Sequence, residues 1–258
     1  SGCDLFQADL RDGAIAERDK HGDLHMMSVT LESSDMVGTD MSGTNLAGAR
    51  LSGTAAMHTD FSEAVMTGCK LVRANLSNAD FSGCILEDAD LSGADMRGAN
   101  MTDAVISGAT MTMTETAGAQ MAGVLTDEPK GRSITEFDRP FPDLLKDYER
   151  WVDSGGAEGA YLEIPGFDLR PEQTLVQRRL TGIKAQGCVL YGMDLSRIEL
   201  QAAHFEDSDF RRASLAQSDL RGTNFSGARF NGASLRGANL QPLLLGGDRG
   251  LPTRFKDA

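Results

Sequence analysis

The chain has 258 residues, 40% of them hydrophobic and 24% charged, and its 38 acidic against 25 basic side chains give a net charge of −13. Direct binding of nucleic acid is not expected of so acidic a chain. No apolar run approaches the roughly 20 residues of a membrane-spanning helix, and no signal peptide is recognisable, so the expectation is a cytoplasmic protein with no membrane association. The opening Ser1-Gly2, without an initiator Met, is expected to be an expression scar or the start of an excised fragment.

Residues 1–25 read as an N-terminal segment with a short repeat-like run, in which Leu5 and Leu10 each follow a small residue, Cys3 and Ala8, by two places. Residues 26–125 hold the clearest pattern. From Ala89 to Asp103 the chain reads ADLSG, ADMRG, ANMTD, with Leu91, Met96 and Met101 five apart and Ala89, Ala94 and Ala99 two places before them. The same phase runs from Leu31 through Phe61 and Phe81 to Met121. Ala56 and Thr116 stand where a bulky residue is expected, and a weakened or bulged backbone is predicted at both.

Between residues 126 and 181 the rule lapses and Trp151, Tyr148 and most prolines gather. Leu144, Leu145, Tyr148, Trp151 and Val152 are spaced as one face of a short helix from about 143 to 153, with Pro142 near its start and Gly155 and Gly156 beyond its end. A second helix is expected after Pro171, with Leu175, Val176 and Leu180 on its apolar face. The five-residue rule resumes in another phase over 182–245, with Leu190, Phe205, Phe225 and Leu240 among its bulky positions. Residues 246–258, broken by Gly and Pro, read as a C-terminal tail.

Residues two apart face the same side only in an extended chain, so each bulky residue and its small companion point inward from a short strand. The next inward pair comes five residues later, so the strand turns once in every pentapeptide, where Gly, Ser, Asp and Asn crowd the outward positions. A chain that turns this often coils and stacks each coil on the last at roughly 4.8 Å, which defines a parallel β-solenoid. Periodicity gives the coil but not its number of sides.

These residues resemble the pentapeptide repeat family, whose pattern is Ala, Asp or Asn, Leu, then two variable positions. The resemblance covers about two thirds of the chain and implies an all-β fold, a right-handed quadrilateral parallel β-helix with four pentapeptides per coil. Here it would form two arrays separated by a partly helical segment. An open solenoid end exposes its core and strand edges, so the helix is expected to be a cap or joint, with a binding role for Trp151 as the alternative.

With four sides, residues twenty apart stack, and one face of the first array then carries Asp40, Asp60 and Asp80 with Glu63 and Asp103 beside them and no Lys or Arg. Residues 26–125 hold twelve acids against four bases, a net of −8. The second array matches its acids with arginines. Some bacterial members of the family act as DNA mimics toward type II topoisomerases, which makes gyrase the alternative partner. The charge of the first array, spread over roughly 23 Å, is about half the line density of B-DNA, so such mimicry would be partial. The family pattern also places Asp before the bulky residue for structural reasons.

Catalytic, cofactor and metal sites are not expected. Cys3, Cys69, Cys84 and Cys188 all occupy small inward positions, no pair has zinc-site spacing, and His21, His25, His58 and His204 are scattered. The Met-rich bulky positions point inward as core filling. The sequence therefore reads as a non-catalytic scaffold for a protein partner, with a homodimer allowed and no direct nucleic-acid binding.

Overall fold

The computed structural model describes residues 14–18, 24–28, 31–246 and 249–258, the first two ranges as backbone only. The opening run around Leu5 and Leu10, with Cys3 and His21, lies outside the described residues. Two compact units divide the chain, one ending at Glu128 and the other beginning at Pro129. Among the described residues no helix is long and apolar enough to cross a membrane.

In the first unit an antiparallel pair, β1 (Ala14–Arg18) and β2 (Leu24–Ser28), precedes a continuous ladder of parallel bridges. Asp40 pairs with Asp60, Asp60 with Asp80, Asp80 with Asn100 and Asn100 with Gln120, so one coil takes twenty residues, four pentapeptides. Backbone bonds alternate in direction between coils: Met41 N–H donates to Asp60 O at 2.7 Å and Asp60 N–H to Thr39 O at 3.0 Å. Each corner closes with a bond three residues back, as from Ala94 N–H to Leu91 O at 2.9 Å. The second residue after each bulky one lies in the left-handed region, Gly93 at φ 67° and Asn78 at φ 57°, which is why Gly, Asn and Asp collect there.

The inward reading holds through the middle coils. Leu91, Phe81, Ala89 and Ala94 are all fully buried, and Leu31, Leu51, Leu71 and Leu91 form one column. Phe61 and Phe81 stack at 5.1 Å between ring centres. Thr and Ser at the small positions return their hydroxyls to the backbone, as when Thr54 donates to Leu51 O at 2.8 Å, which offsets the cost of desolvating them. The bulges expected at Ala56 and Thr116 do not form: the bridges Asp35–Ala55, Ala55–Asn75 and Asp95–Glu115 stay in register. Backbone pairing fixes the coil, and the column that holds both residues also holds Met36 and Met96, adaptable side chains suited to filling beside a small one.

The second unit repeats the plan with three irregularities. Its ladder begins at Glu163, which pairs with Lys184, well ahead of the point where the five-residue phase becomes readable. Glu163 to Lys184 and Asp168 to Val189 are offset by twenty-one residues, and from Thr174 to Asp194 onward the offset is twenty. The additional residue is absorbed in a single 3-10 turn at Arg170–Glu172, with Gln173 at φ 59°. The helix expected after Pro171 is therefore corrected to coil: Leu175 and Leu180 are buried five apart as bulky positions, and Val176 is exposed.

At the other end Asn224 pairs with Arg254, thirty residues on. The surplus forms a hairpin of β5 (Leu243–Leu244) and β6 (Gly250–Leu251), and Phe255 returns to stack on Phe225 at 5.3 Å. The segment read as a tail thus re-enters the coil. At the start, β3 (Arg132–Ser133) pairs in parallel with β4 (Phe167–Asp168), and the predicted helix is present as α1 (Phe141–Asp153).

Candidate interaction surface

Asp40, Asp60 and Asp80 occupy one column of the first unit, continued by Asn100 and Gln120. The position is chosen for the turn. In each case Oδ1 accepts the backbone N–H two residues on, at 2.9 Å from Ser42, 2.9 Å from Ser62 and 2.8 Å from Ser82. Asn75 and Asn100 make the same bond, so the geometry needs the side-chain oxygen and not the charge. The Ser42 hydroxyl and amide together hold the Asp40 carboxyl below its ordinary value.

Glu63 and Asp103 stand at corner positions of the same side, both at φ 58°. Each leans over the glycine of the next coil, Gly83 and Gly123, where a Cβ would collide with the carboxylate. Polar corner residues lean over a glycine of the next coil elsewhere too, as in Asn78 over Gly98 and Asp207 over Gly227. The five acidic residues predicted from sequence are thus brought onto adjacent columns, among which no Lys or Arg stands.

The predicted helix residues are drawn into the core of the second unit. Leu145 and Tyr148 are buried, while Leu144, Trp151 and Val152 are partly buried and pack on the same cluster. Tyr148 donates its hydroxyl to Thr181 O at 2.9 Å, and burial pushes its phenol up. Trp151 lies in an aromatic group with Tyr148 at 5.7 Å and Tyr161 at 4.9 Å. Glu149 accepts the Arg179 N–H at 3.2 Å and Asp153 pairs with the Arg179 guanidinium at 2.6 Å, tying the polar face of α1 to the first coil.

Sequence reasoning missed a repeated ion pair. Asp and Arg flank a bulky residue in Asp95-Met96-Arg97, Asp168-Leu169-Arg170, Asp209-Phe210-Arg211 and Asp219-Leu220-Arg221, and in each the two side chains meet in a salt bridge of 2.6 or 2.7 Å. The signal was the motif itself: residues two apart face the same side of a strand, here outward. Asp209 and Arg211 are both fully buried, and Arg229 reaches Asp209 at 3.3 Å.

Cys69, Cys84 and Cys188 are buried at their small inward positions. Burial pushes the Cys69 and Cys188 thiols up to about 12, and these donate to Leu46 O and Ile164 O, each at 2.8 Å. His58 is exposed, and His204 contacts Glu206 at 3.2 Å.

A solenoid of stacked pentapeptides defines a repeat protein. The family model for pentapeptide repeats matches in eight copies over residues 25–62, 59–98, 84–115, 179–215 and 203–241, more than half of the chain. The chain belongs to the pentapeptide repeat family. No curated protein matches it.

Among solved structures it is similar to a pentapeptide repeat protein from the thylakoid lumen of Arabidopsis thaliana, at 31% identity and a TM-score of 0.34, covering 35% of this chain and 63% of that one. It is also similar to HetL of the cyanobacterium Nostoc sp., a pentapeptide repeat protein involved in heterocyst differentiation regulation, at 21% identity and a TM-score of 0.23 over 80% of this chain and 82% of that one. Full-length QnrB1, a plasmid-mediated fluoroquinolone resistance protein, matches at 17% identity and a TM-score of 0.26 over 74% of this chain and 83% of that one.

Proposed function

We propose that this protein is a non-catalytic interaction scaffold, a right-handed four-sided β-helix that presents a rigid acidic side to a protein partner in the cytoplasm. The observation that carries the reading is the face bearing Asp40, Asp60, Glu63, Asp80 and Asp103. These carboxylates are mounted on a hydrogen-bonded backbone with coils about 4.8 Å apart, so a cationic partner surface meets them without an ordering cost in the scaffold.

The structural and electrostatic roles of the aspartates separate in one variant. Asp60→Asn with Asp80→Asn retains the turn bond already made by Asn75 and Asn100, and removes two charges. Affinity capture from the native cell should recover a partner with the unaltered protein and lose it with the double variant, while the circular dichroism melt is unchanged. Equal recovery by both proteins sinks the acidic-face reading.

Mimicry of DNA toward a type II topoisomerase stands second, because the acidic column passes to Asn100 and Gln120 in the later coils. An assay of gyrase supercoiling with the purified protein discriminates the two readings.

A further inference from the structure

The ends of the two solenoids are treated differently. In the second unit α1 lies against the first coil, and Phe255 with the β5–β6 hairpin closes the last. In the first unit Met36, Met41 and Leu46 of the opening coil are buried, whereas in the final coil, residues 106–125, Thr116 is exposed and Met121 is 43% exposed. The neighbouring corner residue Met113 is 87% exposed.

The backbone of that coil is equally open. In the coils before it, bulky and corner residues donate to the next coil, as Met96 N–H does to Glu115 O at 2.8 Å. Among the described residues the equivalent N–H groups of Met111, Met113, Thr116, Gly118 and Met121 meet no acceptor, and the carbonyls of Ala109, Thr114 and Ala119 meet no donor. Solenoid edges are ordinarily protected by charge, Pro or a cap. This one contains no Pro and a single charged residue, Glu115, and is rich in Thr and Met.

We propose that this edge is a docking site for an extended segment of a partner protein, added as short parallel strands that turn with the coil. The segment would place a small and a large apolar residue two apart over the open core, and basic residues outward. Its basic character follows from the surroundings: within residues 86–128 eight acids, among them Asp95, Asp103, Glu115 and Asp127, stand against the single base Arg97. A second copy of this chain is the weaker occupant. A coil side of five residues is about 16 Å long, so two apposed ends bury on the order of 500 Å² in total, below the roughly 1,200 Å² of a stable interface. A segment of three pentapeptides that turns with the coil instead follows the eight open backbone groups from side to side.

The inference rests on the scaffold reading, yet the two fail separately. The probe is a fluorescent synthetic peptide of three Ala-Lys-Leu-Arg-Gly units, titrated into the full chain. Binding should weaken at least tenfold with Thr116→Pro, which removes one open donor that the fold itself does not use, and with Met121→Lys, which adds a repelling charge. A peptide methylated on its backbone nitrogens should also bind at least tenfold more weakly. Amide exchange at Met111, Met113 and Gly118 should slow in the complex. Absence of binding at millimolar peptide, or binding indifferent to Thr116→Pro and to methylation, overturns the proposal. Self-association in sedimentation velocity that Met121→Lys abolishes would give the edge to a second copy and overturn it as well. Asp60→Asn with Asp80→Asn should leave peptide binding unchanged, so loss of partner capture in that variant tests the acidic face alone.

Discussion

A bulky inward residue in this fold is surrounded on every side, by its own coil and by the column above and below. Leu91→Ala should therefore cost about 2–5 kcal/mol through the cavity it leaves, and Ala94→Leu about 1–3 kcal/mol through overpacking, both read from circular dichroism melts. Unchanged melting temperatures would remove the inward assignment. The Asp209–Arg211 pair makes a different prediction. Burial pushes the Asp209 carboxyl up, but the hydrogen bond and charge of Arg211, with Arg229, more than offset this and hold it below its ordinary value. A depressed folded-state pKa stabilises above the unfolded value of about 3.9 and loses that contribution as pH falls through the folded one. The stability difference between the native protein and Asp209→Asn should accordingly be present near neutrality and shrink on the acid side of that value, as measured by urea unfolding at several pH values. A difference independent of pH would contradict it. The aspartates were legible as a family habit, and their turn bonds give the habit its cause.

At the scale of elements, α1 is where the sequence and the fold agree on existence and differ on setting. Its five apolar residues were readable from helical spacing, but spacing cannot say what the apolar face meets, and here it meets the core of the second unit. Leu145→Ala should destabilise that unit by about 2–5 kcal/mol and shift Trp151 emission to the red as the aromatic group with Tyr148 and Tyr161 loosens. Tyr148→Phe should cost less, about 1 kcal/mol, the net worth of its bond to Thr181 O. Trp151 emission unmoved in Leu145→Ala would detach the helix from the core. The helix expected after Pro171 failed because Val176 and Leu180 fit a helical spacing of four while Leu175 and Leu180 fit the spacing of five, and the five-residue spacing shared with the following coils decided between them.

For the whole molecule, the division at Glu128 and Pro129 leaves each unit with its own hydrophobic cluster, and Trp151 belongs to the second. Leu91→Ala should lower a transition seen by circular dichroism and leave the Trp151 fluorescence transition in place; a common shift in both would show one cooperative unit. What the residues fixed on their own was the inward pair and the turn in every pentapeptide, because those follow from the stereochemistry of an extended chain over five positions. The coil length of twenty residues, the start of the second ladder at Glu163, the extra residue near Gln173 and the return of Phe255 onto Phe225 were decided only in the folded state. Each of these is a pairing between distant segments. A bridge between coils fixes which residues meet, while the corners absorb insertions without disturbing it, so local pattern carries no record of where the chain rejoins its neighbour.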